Sequence, residues 1–285
     1  MDVGYSPGER LMLISEPPFP TGAAFMRWTY ADLRLGEEAV FARYERSRPN
    51  VLYGPLSSLV PLARRLAQTP SVNWRPKLVV STAEQLTDAY RALLESAFST
   101  RVADFYGMAE FGLVAYTLPG TTAYQTLTKD FHFELLPAAA GKSSGLERLV
   151  VTDLGGGIMP LIRFDTGDLV RRDPSRKGAP ITQISGRQVD CLKLANGAFV
   201  SPYEVTLALD RVAGLRQYQV VQRDDLSVDL YVAPAETEAP TVIDRARQVL
   251  ASACGEVLSI NVHVRPEEPV QFGAKQRVVC SYAMA

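Results

Sequence analysis

Cysteine and histidine are scarce in this chain: three and two in 285 residues. Cys191, Cys254 and Cys280 form no CxxC pair, and no histidine stands at ligand spacing from them, which argues against a zinc module and against a disulfide framework. With only His132 and His263 available, a histidine-based triad has little room, and neither a GxSxG elbow nor an HExxH helix occurs. An excess of one charge is also missing. Thirty Lys and Arg against thirty-one Asp and Glu leave a net charge of -1, so the whole chain has no electrostatic basis for binding nucleic acid or an anionic membrane surface. No apolar run approaches the roughly 18 residues that cross a bilayer. The start, MDVGYSPGERLMLISEPP, has an acid at position 2 and a four-residue apolar run, and does not read as a signal peptide. A cytoplasmic protein with reduced, partly buried thiols is expected.

What is present is ordinary globular material: 47% hydrophobic and 21% charged residues, with a mean hydropathy of -0.01. At roughly 150 residues per domain the length suggests about two domains. The apolar run Leu11 to Ile14 precedes a Pro-rich turn and a helix over Gly36 to Ser47. From Asn50, VLYGPLSSLVPLARRLAQ reads as a short strand, a Gly-Pro turn and an amphipathic helix carrying Leu59, Leu62 and Leu66. KLVVS at Lys77 to Ser81 is a buried strand. Tyr90, Leu93, Leu94, Ala97 and Phe98 recur at helical spacing after Thr87, and RVADFY opens another strand, so the order is β-α-β and a parallel layered sheet follows.

Between Leu113 and Val170, short apolar blocks are broken by Pro119-Gly120, Gly141 to Gly145 and Gly155 to Gly157, which predicts mostly strand. GKSSG at 141 to 145 ends like a phosphate-binding loop but has Leu136 where that pattern needs glycine, so a hairpin turn is expected. SPYE at Ser201 to Glu204 is a capping box with Pro at the first helical position. A small α+β domain follows from it: strands QYQVVQ and LSVDLYV around Asp224-Asp225, a helix over about Thr241 to Leu250, and the strand VLSINVHV.

DFYGMAEFG at Asp104 to Gly112, MPLIRFDTGDLV at Met159 to Val170 and GRQVDCLKLANGAFVSPYEV at Gly186 to Val205 occur in that order. Together they resemble the adenylate-forming superfamily, and with SSLVPLARRLA, STAEQLT and DFHFELL they are similar to its phenylacetate-CoA ligase branch, over about Asn50 to the C-terminus. The resemblance implies an α/β fold: the C-terminal portion of the large adenylate-forming domain, layered α/β plus a β-rich subdomain, over 1–186, then a small mobile α+β domain over 187–285. It implies a ligase that joins a carboxylic acid, aryl or acyl, to ATP as an acyl-adenylate and then passes the acyl group to a thiol or amine.

The site residues follow from the same resemblance. Tyr106 offers a π-face to adenine, and base stacking on an aromatic contributes about 1–3 kcal/mol. Glu110 matches the magnesium-binding carboxylate. Asp168 in TGD suits the ribose hydroxyls, and Arg187 in GRQVD matches an arginine contacting ribose and phosphate. Ser81, Thr82, Ala83 and Glu84 align with a segment lining adenine through its backbone, while Asp104, Gly107, Met108, Ala109 and Lys193 complete the implied nucleotide contacts. His132 falls in a DHF-like signature near the acid pocket, and Lys275 in PVQFGAKQRVV matches the mobile lysine that bridges carboxylate and α-phosphate. ATP or AMP and Mg2+ are the implied cofactors, with coenzyme A a candidate acceptor.

Three departures accompany the resemblance. No Gly/Ser/Thr-rich run that would wrap the β- and γ-phosphates occurs, Ala109 replaces a threonine, and Val189 stands where relatives have a hinge aspartate, with Asp190 next to it. The chain is expected to begin well over a hundred residues into a full-length relative, leaving a sheet edge or apolar face for a homodimer or a second polypeptide. Two other readings stay open: a non-catalytic nucleotide-binding or scaffold homologue, and an acyl or amide transferase using a preformed adenylate or thioester.

Overall fold

The computed structural model describes residues 4–6, 8–16, 27–138, 145–156, 160–173, 181–234, 239–255, 258–266 and 278–283. These fall into two compact units, one up to Leu127 and one from Thr128 onward. The boundary expected at 186/187 lies inside the second.

The first unit is built on a seven-stranded sheet. Its strands are β1 (Leu11–Ser15), β2 (Trp28–Asp32), β3 (Val51–Pro55), β4 (Leu78–Thr82), β5 (Val102–Met108), β6 (Gly112–Thr117) and β7 (Tyr124–Thr126), in spatial order β2-β1-β3-β4-β5-β6-β7. The first five are parallel and the last two are antiparallel additions. Three helices fill the crossovers: α1 (Gly36–Ser47), α2 (Leu56–Ala67) and α3 (Asp88–Phe98). Two of them have local starts. Helix α3 starts at Thr87, whose side chain accepts from the Tyr90 amide, and ends at Ser99 in the left-handed conformation. Helix α2 starts after Pro55, the last residue of β3, so Gly54-Pro55 closes the strand instead of forming a separate turn. Strand β2 was not anticipated: WTYAD shows no clean alternation of apolar and polar residues.

Alternation along the parallel strands divides their side chains between two faces. Met12, Ile14, Leu52 and Val79 are buried with Tyr44, Leu59, Leu62, Leu66, Leu94 and Phe98 from the three helices. Leu94 and Phe98 sit one turn apart, which is why the spacing after Thr87 was informative. Val51, Leu78, Val80 and Ala103 point the other way, beneath Tyr53, Phe105 and Tyr116, whose rings meet at 5.9–6.0 Å. The partly buried residues against that second face are Tyr5, Leu11, Tyr53, Phe105, Tyr116 and Leu118, none of them from α1, α2 or α3.

The second unit holds two four-stranded sheets. Strands β8 (Phe131–Pro137), β9 (Leu146–Asp153), β10 (Phe164–Arg172) and β11 (Ile181–Arg187) form an antiparallel meander in the order β11-β10-β9-β8. The described residues between Leu113 and Val170 are mostly strand, as the punctuation implied. GKSSG lies outside the described residues except for Gly145; β8 and β9 on either side pair antiparallel from Phe131↔Asp153 to Pro137↔Glu147. A short pair, β12 (Leu192–Lys193) and β13 (Phe199–Val200), leads into α4 (Pro202–Leu209), whose capping box has both reciprocal bonds between Ser201 and Glu204. Strands β14 (Leu215–Gln222), β15 (Val228–Pro234), β16 (Ile260–Val264) and β17 (Val279–Ser281) form the second sheet in the order β16-β15-β14-β17, and α5 (Ala239–Ala253) crosses between β15 and β16. Val220, Leu230, Val232, Val205, Leu209, Ala246 and Leu250 form its core.

Candidate functional site

In open parallel sheets, ligand crevices form beyond the carboxyl ends of the strands, where chain direction and loop placement converge. In the first unit, the carboxyl ends of β4 and β5 carry most of the implied nucleotide residues. Ser81 and Thr82 close β4, and Ser81 is paired with Asp104 in the parallel register. The chain then bends through Ala83 and Glu84. Ala83 is exposed and has φ +66, a conformation disfavoured for any residue with a Cβ. Thr82 Oγ1 donates to the Phe105 carbonyl at 3.1 Å, and Glu84 Oε2 accepts from the Ser57 amide at 2.6 Å.

YGMAEFG forms the tip where β5 turns back into β6. Tyr106 pairs with Ala115 and Met108 with Gly112, with a register shift between Tyr106 and Gly107. The tip closes tightly because Gly107 has no side chain: a Cβ there would stand 2.6 Å from the Gly112 carbonyl oxygen. Tyr106 is half-buried, while Gly107, Ala109 and Glu110 are exposed. Glu110 thus stands as a single solvated carboxylate at the tip, and no cluster of three or more His, Cys, Asp or Glu able to hold a metal occurs among the described residues. That donor set suits Mg2+ that takes its remaining ligands from phosphates and water, and does not suit an all-protein cage.

Asp104, two residues before Tyr106, is buried. Its amide donates to Thr117 Oγ1 at 2.8 Å, and its carboxylate accepts a short hydrogen bond from the Tyr124 hydroxyl. Burial pushes its pKa up to about 6, against the lowering effects of the Tyr124 bond, the Arg91 charge and Ser81. The Tyr124 hydroxyl is itself held well above its ordinary range, by burial and then by the facing carboxylate. Asp104 therefore links β5 to β6 and β7, joining the strand of Tyr106 to the antiparallel extension of the sheet.

In the second unit, TGD occupies an irregular stretch of β10, where pairing with β9 shifts between Asp165 and Leu169. Such bulges re-aim side chains. Thr166 Oγ1 donates to the Leu149 carbonyl at 2.9 Å and accepts from the Asp168 amide at 3.1 Å. Asp168 is paired across the ladder with Arg187, and the two charges approach to 3.9 Å, with Asp168 14% and Arg187 65% exposed. Gly186 keeps this strand end against α4: a Cβ would meet Pro202 at 2.9 Å. Lys193 is engaged elsewhere. Its ammonium donates to the Ala283 carbonyl at 2.6 Å, and its backbone is gripped at both amide and carbonyl by the Gln222 side chain. His132 is exposed on β8, paired with Thr152. Val189 is exposed and Asp190 buried. Lys275 lies outside the described residues.

Two groupings therefore emerge within single units: Ser81 to Glu84 with Asp104 to Glu110, and Asp168 with Arg187. Sequence reasoning missed Thr117, Tyr124 and the Ser57 amide, partners that arise from strand and helix neighbours and carry no motif. One signal was available for the last of these, since α2 begins after a proline that offers no capping side chain.

Neither a protein-family model nor a curated protein sequence matches the chain. Solved structures do. 2-Hydroxyisobutyryl-CoA ligase in the postadenylation state, in complex with R3-HIB-AMP, superposes with a TM-score of 0.77 at 17% identity, covering 98% of this chain and 67% of that one. Anthranilate CoA ligase AuaEII in complex with anthranoyl-AMP gives 0.70 at 16%, covering 96% and 59%. Coronafacic acid ligase from Pectobacterium brasiliense gives 0.61 at 15%, covering 93% and 57%. The chain has the fold of adenylate-forming ligases and spans between 57% and 67% of the length of these three proteins.

Proposed function

We propose that this chain carries the nucleoside-binding part of a ligase that activates a small carboxylic acid as its acyl-adenylate. The observation that carries this reading is the coincidence of fold and placement. The adenylate-forming fold is present, and the residues that the motifs single out for the nucleotide fall in two groups: at the carboxyl ends of β4 and β5 in the first unit, and in the second where Asp168, midway along β10, pairs with Arg187 at the end of β11.

In this reading a carboxylate oxygen of the acid attacks the α-phosphorus of ATP, the bond to pyrophosphate breaks, and a thiol or amine later attacks the acyl carbon to release AMP. Tyr106 supplies a half-buried aromatic face for adenine next to the Ser81–Glu84 backbone. Asp168 accepts from the ribose hydroxyls, a charge-assisted pairing that fixes the nucleoside away from the reacting phosphorus. Arg187 brings a largely exposed fork of donors to the ribose and phosphate. Mg2+ on Glu110 would offset phosphate charge, and Lys275 would do the same at the carboxylate. Coenzyme A is the thiol acceptor most in keeping with the neighbours' names, and the acid is of the aryl or short acyl class.

Calorimetric titration with AMP tests the nucleoside assignment. Saturable binding is expected, at least tenfold weaker in Asp168→Asn, which corresponds to about 1.4 kcal/mol. A wild-type chain that binds neither AMP nor a synthetic acyl-AMP overturns the proposal. Pyrophosphate exchange with aryl acids then separates ligase from transferase: turnover of acyl-AMP without exchange assigns the chain to acyl transfer.

A further inference from the structure

Helix α2 begins without a side-chain cap of its own, because the residue before it is Pro55. The acceptor it lacks comes from 27 residues further on: Glu84 Oε2 takes the Ser57 amide at 2.6 Å. A carboxylate at this position satisfies one of the unpaired first-turn amides and meets the positive end of the helix dipole. The same Glu84 donates its own amide to the Thr82 carbonyl at 2.8 Å, and Thr82 Oγ1 reaches across to the Phe105 carbonyl, adjacent to Tyr106. Ala83 is thus tied on both sides and held at φ +66. A left-handed non-glycine residue persists only where its surroundings over-determine it, and such positions concentrate at binding sites. The Ala83 side chain is exposed, so packing does not hold it there. The two flanking hydrogen bonds account for its conformation.

We infer that Glu84 is a positioning residue: by capping α2 its side chain holds the Thr82–Glu84 backbone in the shape that reads the base of a bound nucleotide, while the carboxylate itself does not touch the base. The inference rests on the nucleotide reading proposed above. It makes the start of α2 part of the binding site without any residue of α2 touching ligand.

The test compares Glu84→Ala and Glu84→Gln in titrations with AMP, GMP and ribose 5-phosphate. Glu84→Ala is expected to weaken AMP at least tenfold and to narrow the preference for AMP over GMP, with ribose 5-phosphate affinity unchanged. Glu84→Gln keeps a carbonyl acceptor for Ser57 and should restore most of both losses. A wild-type chain that binds none of the three defeats the nucleotide reading, and this inference with it. Wild-type binding with unchanged AMP affinity in Glu84→Ala overturns the inference alone. A parallel loss for all three ligands also overturns it, because it would show a general weakening of the fold and no effect on base reading.

Discussion

Asp104→Asn should make the chain more stable at neutral pH than the natural one, by an amount that depends on pH in a defined way. The Asp104 carboxyl is buried, and desolvation raises its pKa from 3.8 to about 6 despite the Tyr124 hydrogen bond. A folded-state pKa above the unfolded value means that folding favours the protonated form. The stabilising contribution is then fully present below about pH 4 and is lost as pH rises to about 6. A shift of roughly two units at about 1.4 kcal/mol each gives a cost of about 3 kcal/mol at pH 7. Asparagine keeps an acceptor for the Tyr124 hydroxyl and never ionises, so it escapes this cost. Urea unfolding of both proteins from pH 4.5 to 7.5 reads the difference directly, with other titrating groups cancelling in the subtraction. The gap between variant and natural chain should widen by about 2 kcal/mol over that range, most of it below pH 6.5. Parallel profiles would show that the Asp104 charge is solvated or compensated, and would refute the reasoning.

Other substitutions follow from single contacts. Ala83→Val should cost about 1–2 kcal/mol in chemical denaturation, although its side chain is exposed, because a β-branched residue resists φ +66; a change within 0.5 kcal/mol would remove the case for strain. Leu94→Ala, at a fully buried position of α3, should cost about 2–5 kcal/mol and lower the melting temperature accordingly. Cys191 and Cys254 are buried, and burial pushes both thiols up to about 12. An aromatic disulfide reagent at pH 8 should therefore titrate neither in the native chain, while the denatured chain yields all three cysteines. Rapid native reaction at either would place it at the surface.

Local chemistry was legible in advance where a handful of neighbouring residues decides the outcome. Ser201 and Glu204 sit three apart and cap α4 reciprocally, and the spacing from Tyr90 to Phe98 makes α3 amphipathic whatever surrounds it. Strand β2 escaped notice because WTYAD pairs only along β1, at the sheet's edge, and all its residues but Ala31 are half-buried on both sides. The site was legible as motif and illegible as mechanism. DFYG marked Asp104 as important, but its burial depends on Thr117 and Tyr124, which reach it only once β6 and β7 have folded back. The Glu84–Ser57 bond joins a loop to a helix from a different crossover, and no window of sequence contains both.

The tight closure at Gly107 bears on how this chain can change over generations. With a carbonyl oxygen 2.6 Å from where any Cβ would stand, position 107 is closed to the other nineteen amino acids unless the hairpin itself is remodelled. Drift in the tip is thereby channelled into Ala109 and Glu110, whose side chains are exposed. A lineage can retune what the tip touches, in size, polarity or charge, while the strand carrying Tyr106 keeps its path.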